Sequence, residues 1–251
     1  MSNIDSDSPN KILYLDVGNS SIKGAFRQGL DWQTIHPNTR FSASDLIKWI
    51  DDHPQKIQQV VLSGVRQDAL EAIRMNLQNV AVKEITKHNI PKELLDYETA
   101  DTLGIDRFLA CYGATMQTSE SVVVIDAGTA LTVDFMDQND VFHGGVIAPG
   151  LAHFSQILPD KAPALPNVEQ EIPKTWPGKN TIDSLKWGQA GFYKMALESI
   201  LAKYEKDLGH FELFITGGNG SVIEKLLGKE AKLRPFLVFD GMERFFNSPL
   251  K

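Results

Sequence analysis

The sequence lacks several features that would have pointed its chemistry elsewhere. It has one cysteine, Cys111, in 251 residues. No intrachain disulfide can form, and such sparing use fits a reducing cytoplasm. No apolar run approaches the ~20 residues of a bilayer-spanning helix, so no membrane partner is expected. Lys and Arg number 25 against 32 Asp and Glu, a net charge of −7. With no basic stripe to meet a phosphate backbone, nucleic acid is not an expected partner. The opening MSNIDSDSPN is polar and acidic; it is no secretory signal and reads as a loose leader over residues 1–10.

The missing motifs exclude as much. Without Gly-x-x-x-x-Gly-Lys-Ser/Thr the chain is not a P-loop enzyme. Neither His-Glu-x-x-His nor Cys-x-x-Cys occurs, so a zinc site is not expected. No Gly-x-Ser-x-Gly marks a serine hydrolase elbow. The six histidines are scattered without ligand spacing.

What is present is an ordinary globular composition, 42% hydrophobic and 23% charged, in a chain long enough for two modest domains or one large one. Its most informative stretch is VVVIDAGTALTVD, residues 122–134. Four apolar residues run into Asp126, a tight Ala127-Gly128-Thr129 turn follows, and Leu131, Val133 and Phe135 alternate with Thr132 and Asp134. This predicts a buried strand, a glycine turn and a half-buried return strand. Gly128 lets a phosphate approach the backbone, Thr129 adds a hydroxyl, and Asp126 stands where a cation could be held beside it. ILYLDVGNSSIKGAF, residues 12–26, repeats the device with Asp16, Gly18, Asn19 and Ser20. One Asp-x-Gly hairpin is commonly only a turn. Two of them suggest duplicated domains gripping one nucleotide from both sides.

Elsewhere the pattern is α/β. Helices are expected over 42–52, with Ser42 and Ser44 as candidate N-caps, over 68–77, and over FLACYGATM after Asp106-Arg107. Strands are expected over 59–63, 80–85, 141–147, 211–216 and 236–239. Proline-rich residues 158–179 read as an irregular loop. A long helix follows, capped by Asn180 or Thr181; a shorter one spans 222–227, and another over 241–246 closes the chain. Cys111, Gly113 and Ala114 make the helix after Arg107 small-sided, suited to close packing on another helix. Asp106-Arg107 taken alone also reads as a surface ion pair. A soft boundary near 117–120 divides an N-terminal domain, 1–118, from a C-terminal one, 119–251.

Aspartates at strand ends beside glycine turns suit phosphoryl transfer, where catalysis is mostly positioning and charge neutralisation. The motifs go further. DVGNSSIK at 16–23, Tyr97 with GIDR at 104–107, DAGTALTVD at 126–134, GGVIAPG at 144–150, NT at 180–181 and TGG at 216–218 together resemble the type III pantothenate kinases, also called the Bvg accessory factor family. They stand in family order over nearly the whole chain. Two positions depart from the pattern: Ser20, where Thr is usual, and Asn219, where Asp is frequent.

The resemblance implies the duplicated actin/Hsp70/sugar-kinase (ribonuclease H-like) fold, with ATP and Mg2+ in a cleft between two domains. It implies phosphate contacts from Asp16, Val17, Gly18, Asn19, Ser20, Ser21, Ile22 and Lys23, and a nucleotide contact from Thr129. A monovalent cation, K+ or NH4+, would sit at Asp126. Pantothenate would be bound by Tyr97, Gly104, Ile105, Asp106, Arg107 and Thr181, with Asp106 as general base and Arg107 suited to a carboxylate. The product would be 4'-phosphopantothenate, the first intermediate towards coenzyme A. A cytoplasmic homodimer is expected, from the likeness and from the small-sided helix. A non-enzymatic regulator and a nucleotide hydrolase of the same superfamily stay open, since one fold hosts many functions.

Overall fold

A computed structural model describes residues 12–18, 21–35, 43–51, 57–77 and 80–247. The leader, Ser42, Asn19 and Ser20 lie outside the described residues. The chain forms two compact units, one from residues 1–113 with 236–251, the other from 114–235. This division differs from one at 118/119 in two respects: the boundary lies at 113/114, and the stretch from Phe236 belongs with the first unit.

The first unit holds strands β1 (Ile12–Val17), β2 (Ile22–Gln28), β3 (Asp31–Thr34), β4 (Gln59–Gly64) and β5 (Ala81–Ile85) in the sheet order β3-β2-β1-β4-β5. β1 to β3 form an antiparallel meander, and β4 and β5 run parallel to β1. Period-two alternation sends Leu13, Leu15 and Val17 to one face. There they share a core with Val60, Leu62 and residues of helices α1 (Ala43–Asp51) and α2 (Gln67–Asn76), including Leu46, Ile50, Leu70 and Ile73.

Tyr14 and Asp16 point to the other face. Here lie the aromatic residues of the last helix, which spans Leu237–Asn247; the Tyr14 ring meets Phe246 edge-on. Residues 236–239 are therefore not a strand. A short apolar run is ambiguous between a strand and a buried helix, and Leu237, Gly241, Met242 and Phe245 bury one side at helical spacing. The helix is tied to the sheet by charge: Asp240 Oδ1 accepts from Trp32 Nε1 at 2.8 Å and from Arg27 at 2.9 Å, while Arg27 Nε donates to Glu243 at 2.9 Å. Burial nevertheless pushes the Asp240 carboxyl up from its ordinary value, against the lowering effect of Trp32 and Arg27.

The small side of helix α3 (Ile105–Ala114) is used here. A Cβ on Gly241 would lie 2.0 Å from the Leu109 carbonyl oxygen, and one on Gly113 2.2 Å from that of Leu237. The two helices cross backbone against backbone within one unit, and Cys111 is fully buried. The small side is spent inside the chain and offers no support for dimerisation.

The second unit repeats the sheet. Strands β6 (Val122–Ala127), β7 (Ala130–Met136), β8 (Phe142–Pro149), β9 (Glu212–Thr216) and β10 (Lys232–Leu233) lie in the order β10-β9-β6-β7-β8. The first three are again an antiparallel meander, with β9 parallel to β6. Asp126 and Asp16 occupy the same place, one residue before the end of the first strand.

Val123, Ile125, Leu131 and Val133 build one core with α6 (Phe192–Leu208) and α7 (Gly220–Leu227). Helix α4 (Leu151–Lys161) takes up the start of the stretch expected to be irregular, with Pro159 inside it. Pro159 has no N–H to offer the Ser155 carbonyl. That carbonyl lies 3.5 Å from Nε2 of the buried Gln189. Gln189 belongs to a single π turn, Trp187–Gly191, that joins α5 (Thr181–Lys186) to α6. The closing helix, Leu237–Asn247, is α8. Among the described residues no helix is long and apolar enough to cross a membrane.

Gly241→Ala is expected to destabilise the protein by about 1–3 kcal/mol through the crossing, although alanine by itself favours a helix by about 1 kcal/mol. Equilibrium urea unfolding measures this, and an unchanged or higher midpoint would refute the close approach.

Candidate active site

The site is built at the carboxyl ends of the first strands. In the first unit Asp16 is 7% exposed, on β1, and its neighbours in register are Lys23 on β2 and Ser63 on β4. In-register neighbours share a face, so the three side chains stand together. Ser63 is 1% exposed, and its Oγ is the sole buried side-chain polar atom without a hydrogen-bond partner among the described residues. An orphaned hydroxyl beside a carboxylate calls for a ligand group or water to complete it.

Val17 and Ile22 are buried towards the core, so their side chains are turned away from Asp16. Gly18 N–H donates to Ser21 O at 3.0 Å, closing the turn, and Lys23 is exposed. Next along β4, Gly64 has φ +156°, and a Cβ there would lie 2.3 Å from the Val17 carbonyl oxygen. The ends of β1 and β4 are held together at that point, where Val65 N–H also donates to Val17 O at 3.0 Å.

The GIDR residues belong to the same unit. Gly104 precedes α3, and Asp106 and Arg107 lie within the helix's first turn rather than ahead of it. The Asp106 carboxylate folds back: Oδ1 accepts from Arg107 N–H at 3.0 Å and lies 2.7 Å from where a Gly104 Cβ would be. A side chain at 104 would displace it. A helix amino terminus also favours a carboxylate electrostatically. Arg107 is 8% exposed, donates to the Tyr97 hydroxyl at 3.4 Å, and sits 5.9 Å from the centre of the Tyr97 ring. The structure thus brings Tyr97, Gly104, Asp106 and Arg107 together.

Beside them is a cavity of about 530 Å³, whose wall includes Gly64, Val65, Thr86, Gly104 and Ile105. That is within the usual range of small-molecule sites, roughly 300–1,000 Å³. Gly64, Thr86 and Gly104 are far apart in the chain, and no motif links them; only the folded sheet ends reveal that they share a wall.

In the second unit three glycine turns converge. Gly150 N–H donates to Thr129 O at 2.9 Å, and a Cβ on Gly150 would lie 2.2 Å from Gly128 O. Gly217 has φ +86°, and a Cβ there would lie 2.4 Å from Asp126 Oδ1. The TGG turn thus packs directly against the Asp126 carboxylate, and Asn219 N–H donates to Ala127 O at 2.9 Å. Thr129 is exposed on the hairpin turn. Thr181 is exposed at the start of α5, where the Asn180 side chain accepts from Asp183 N–H at 2.8 Å. Trp187 and Tyr193 serve packing: Trp187 meets Trp176 edge-on, and Tyr193 donates to Pro149 O at 2.9 Å.

Among the described residues no three His, Cys, Asp or Glu side chains cluster to hold a metal ion. A single strand-end carboxylate with an orphaned hydroxyl fits a Mg2+ whose remaining ligands are water and substrate phosphates.

A sheet order that occurs twice, with an aspartate in the same place on each first strand, defines the duplicated actin-like fold in a form suited to phosphoryl transfer. Residues 12–203 match the sequence model of a family described as type III pantothenate kinase. The chain is 32% identical to the type III pantothenate kinase of Cytophaga hutchinsonii, over 94% of this chain and 98% of that one. It is 31% identical to that of Flavobacterium psychrophilum, over 86% and 90%. A crystal structure from Campylobacter jejuni, described as of the Baf family of transcriptional activators, shares the fold with TM-score 0.66 at 24% identity, covering 94% of this chain and 97% of that one. The chain belongs to the type III pantothenate kinase family, enzymes that phosphorylate pantothenate in coenzyme A biosynthesis.

Proposed function

We propose that Asp106 is the general base of this pantothenate kinase and that the cavity beside Gly104 receives the acceptor. The chain transfers the terminal phosphoryl group of ATP to pantothenate. The observation that carries the residue assignment is the Asp106 carboxylate lying against Gly104, whose backbone forms part of the cavity wall. A hydroxyl presented at that wall is within reach of a carboxylate that can take its proton as the oxygen attacks phosphorus. Tyr97 and Arg107 orient the acceptor from the same side.

The β1–β2 hairpin, from Asp16 through Gly18, Asn19, Ser20 and Ser21 to Lys23, supplies backbone amides and one ammonium to the phosphates. Thr129 contacts the nucleotide from the β6–β7 turn. Mg2+, when bound beside Asp16, would offset phosphate charge. Asp126, fixed by the Gly217 turn, holds a monovalent cation, K+ or NH4+. The buried lone cysteine supports a cytoplasmic location, which cell fractionation tests.

A second copy of the chain completes the pocket through Thr181. Support comes from the apolar surface beside it in the second unit. Phe192, Ile157, Met195 and Ile182 are 60, 51, 47 and 41% exposed, and Phe192 stacks on Phe154 at 5.8 Å. Exposed apolar side chains on adjoining helices favour association.

ADP release with ATP, Mg2+ and K+ should depend on pantothenate; release without it would indicate a hydrolase, and none at all a regulator. Asp106→Asn should keep nucleotide and pantothenate binding while turnover falls by roughly 10²-fold or more; a variant near wild-type rate would remove Asp106 from the role. Exchanging K+ for Na+ should depress the rate, and indifference would count against Asp126 as the cation's ligand. Phe192→Glu should convert a dimer to a monomer in sedimentation and raise KM for pantothenate. A variant that stays dimeric would rule out this face.

A further inference from the structure

We infer that Lys87 reads the carboxylate of the acceptor, and so selects an acidic substrate over a neutral one of the same shape. This rests on the cavity being the acceptor pocket. Lys87 lines that cavity with Gly104 and Ile105 and is only partly exposed. Among the described residues its ammonium has neither an ion pair nor a hydrogen bond.

The nearby carboxylates are committed elsewhere: Glu84, on the same wall, pairs with Arg74 at 2.9 Å, and Asp101 faces His88 at 3.8 Å. An ammonium with no anion beside it on a cavity wall offers a bound carboxylate a charge-assisted hydrogen bond. Pantothenate carries its reacting hydroxyl near one end and its carboxylate at the other. A hydroxyl at Gly104 leaves the carboxylate to the remaining wall, where Lys87 is the side chain of fixed positive charge.

The platform beneath Lys87 is fixed. Thr86 N–H and Thr86 Oγ both donate to Asn89 Oδ1 at 2.9 Å, clamping the 3-10 turn Lys87–Asn89 at both ends. The facing turn, Ala100–Thr102, is held by Thr102 Oγ, which lies 2.9 Å from Thr99 O and 2.8 Å from Thr99 Oγ. Arg107, which also suits a carboxylate, is engaged with the Tyr97 hydroxyl at 3.4 Å beside Asp106. Lys87 therefore sets specificity at the far end of the acceptor, while Arg107 works beside the base.

The test compares pantothenate with pantothenol, in which a neutral hydroxymethyl group replaces the carboxylate. Lys87→Met should lower kcat/KM for pantothenate by roughly ten-fold or more, chiefly through KM, and change it far less for pantothenol. Lys87→Arg should recover most of the loss. Equal losses with both acceptors, or none with either, would overturn the assignment. Thr102→Trp, which narrows the same cavity, separates the two levels of the argument. If it raises KM for both acceptors while Lys87→Met does nothing, the pocket stands and the role of Lys87 fails. If it leaves both unchanged, the cavity is not the acceptor pocket, and the inference falls with that reading.

Discussion

The alternation of side chains along the first strand of each sheet is the constraint on which the rest depends. Leu13, Leu15 and Val17 must enter the core of the first unit, and Val123, Ile125 and Ala127 that of the second. A period of two then leaves no choice for the residue between the last pair. Asp16 and Asp126 are turned to the opposite face, at the strand end, each two residues before a turn glycine, Gly18 and Gly128. A one-residue slip of either strand would turn the carboxylate into the apolar core and the core side chains to the opposite face. Hydrophobic burial thereby fixes the position of two charges, and any phosphate chemistry draws on stability the core already provides.

Close backbone approach is the second device. Gly113 and Gly241 let α3 and α8 cross without side chains between them, and Gly64 does the same for the ends of β1 and β4. In the second unit Gly150 and Gly217 bring two loops onto the hairpin turn beside Asp126. These glycines differ from those of ordinary surface turns, because a Cβ at each would meet backbone. In the second unit they hold the Gly217 turn directly against the Asp126 carboxylate. The ion network of Arg27, Trp32, Asp240 and Glu243 then secures α8 to the sheet, so α3 is held from behind.

Much of this was legible in the chain. Both hairpins and the α/β alternation follow from local patterns: apolar runs ending in Asp, glycine at turns, a helix after GIDR. The grouping of Tyr97 with Gly104–Arg107 comes from the family resemblance. The misreadings share a cause. Phe236-Leu-Val-Phe has no intrinsic preference strong enough to choose between strand and helix, and the facing backbone of α3 decided for helix. Residues 158–161, read as part of an irregular loop, end a helix that contains Pro159, and Gln189, distant in sequence, lies 3.5 Å from the Ser155 carbonyl that proline leaves unserved. Small residues on α3 correctly signalled a close neighbour; which neighbour they signal is not a local property.

The sequence by itself determined the kinds of element, the duplication and the chemical character of each candidate group, since these depend on spacing and side-chain type within a few residues. Only the tertiary structure decided that Ser63 is orphaned beside Asp16, and that Gly64, Thr86, Lys87 and Gly104 share one wall. It also decided that the last helix completes the first unit. Each of these is a relation between residues widely separated along the chain, and the packing of strand ends and helix backbones, which no local period encodes, brings them together.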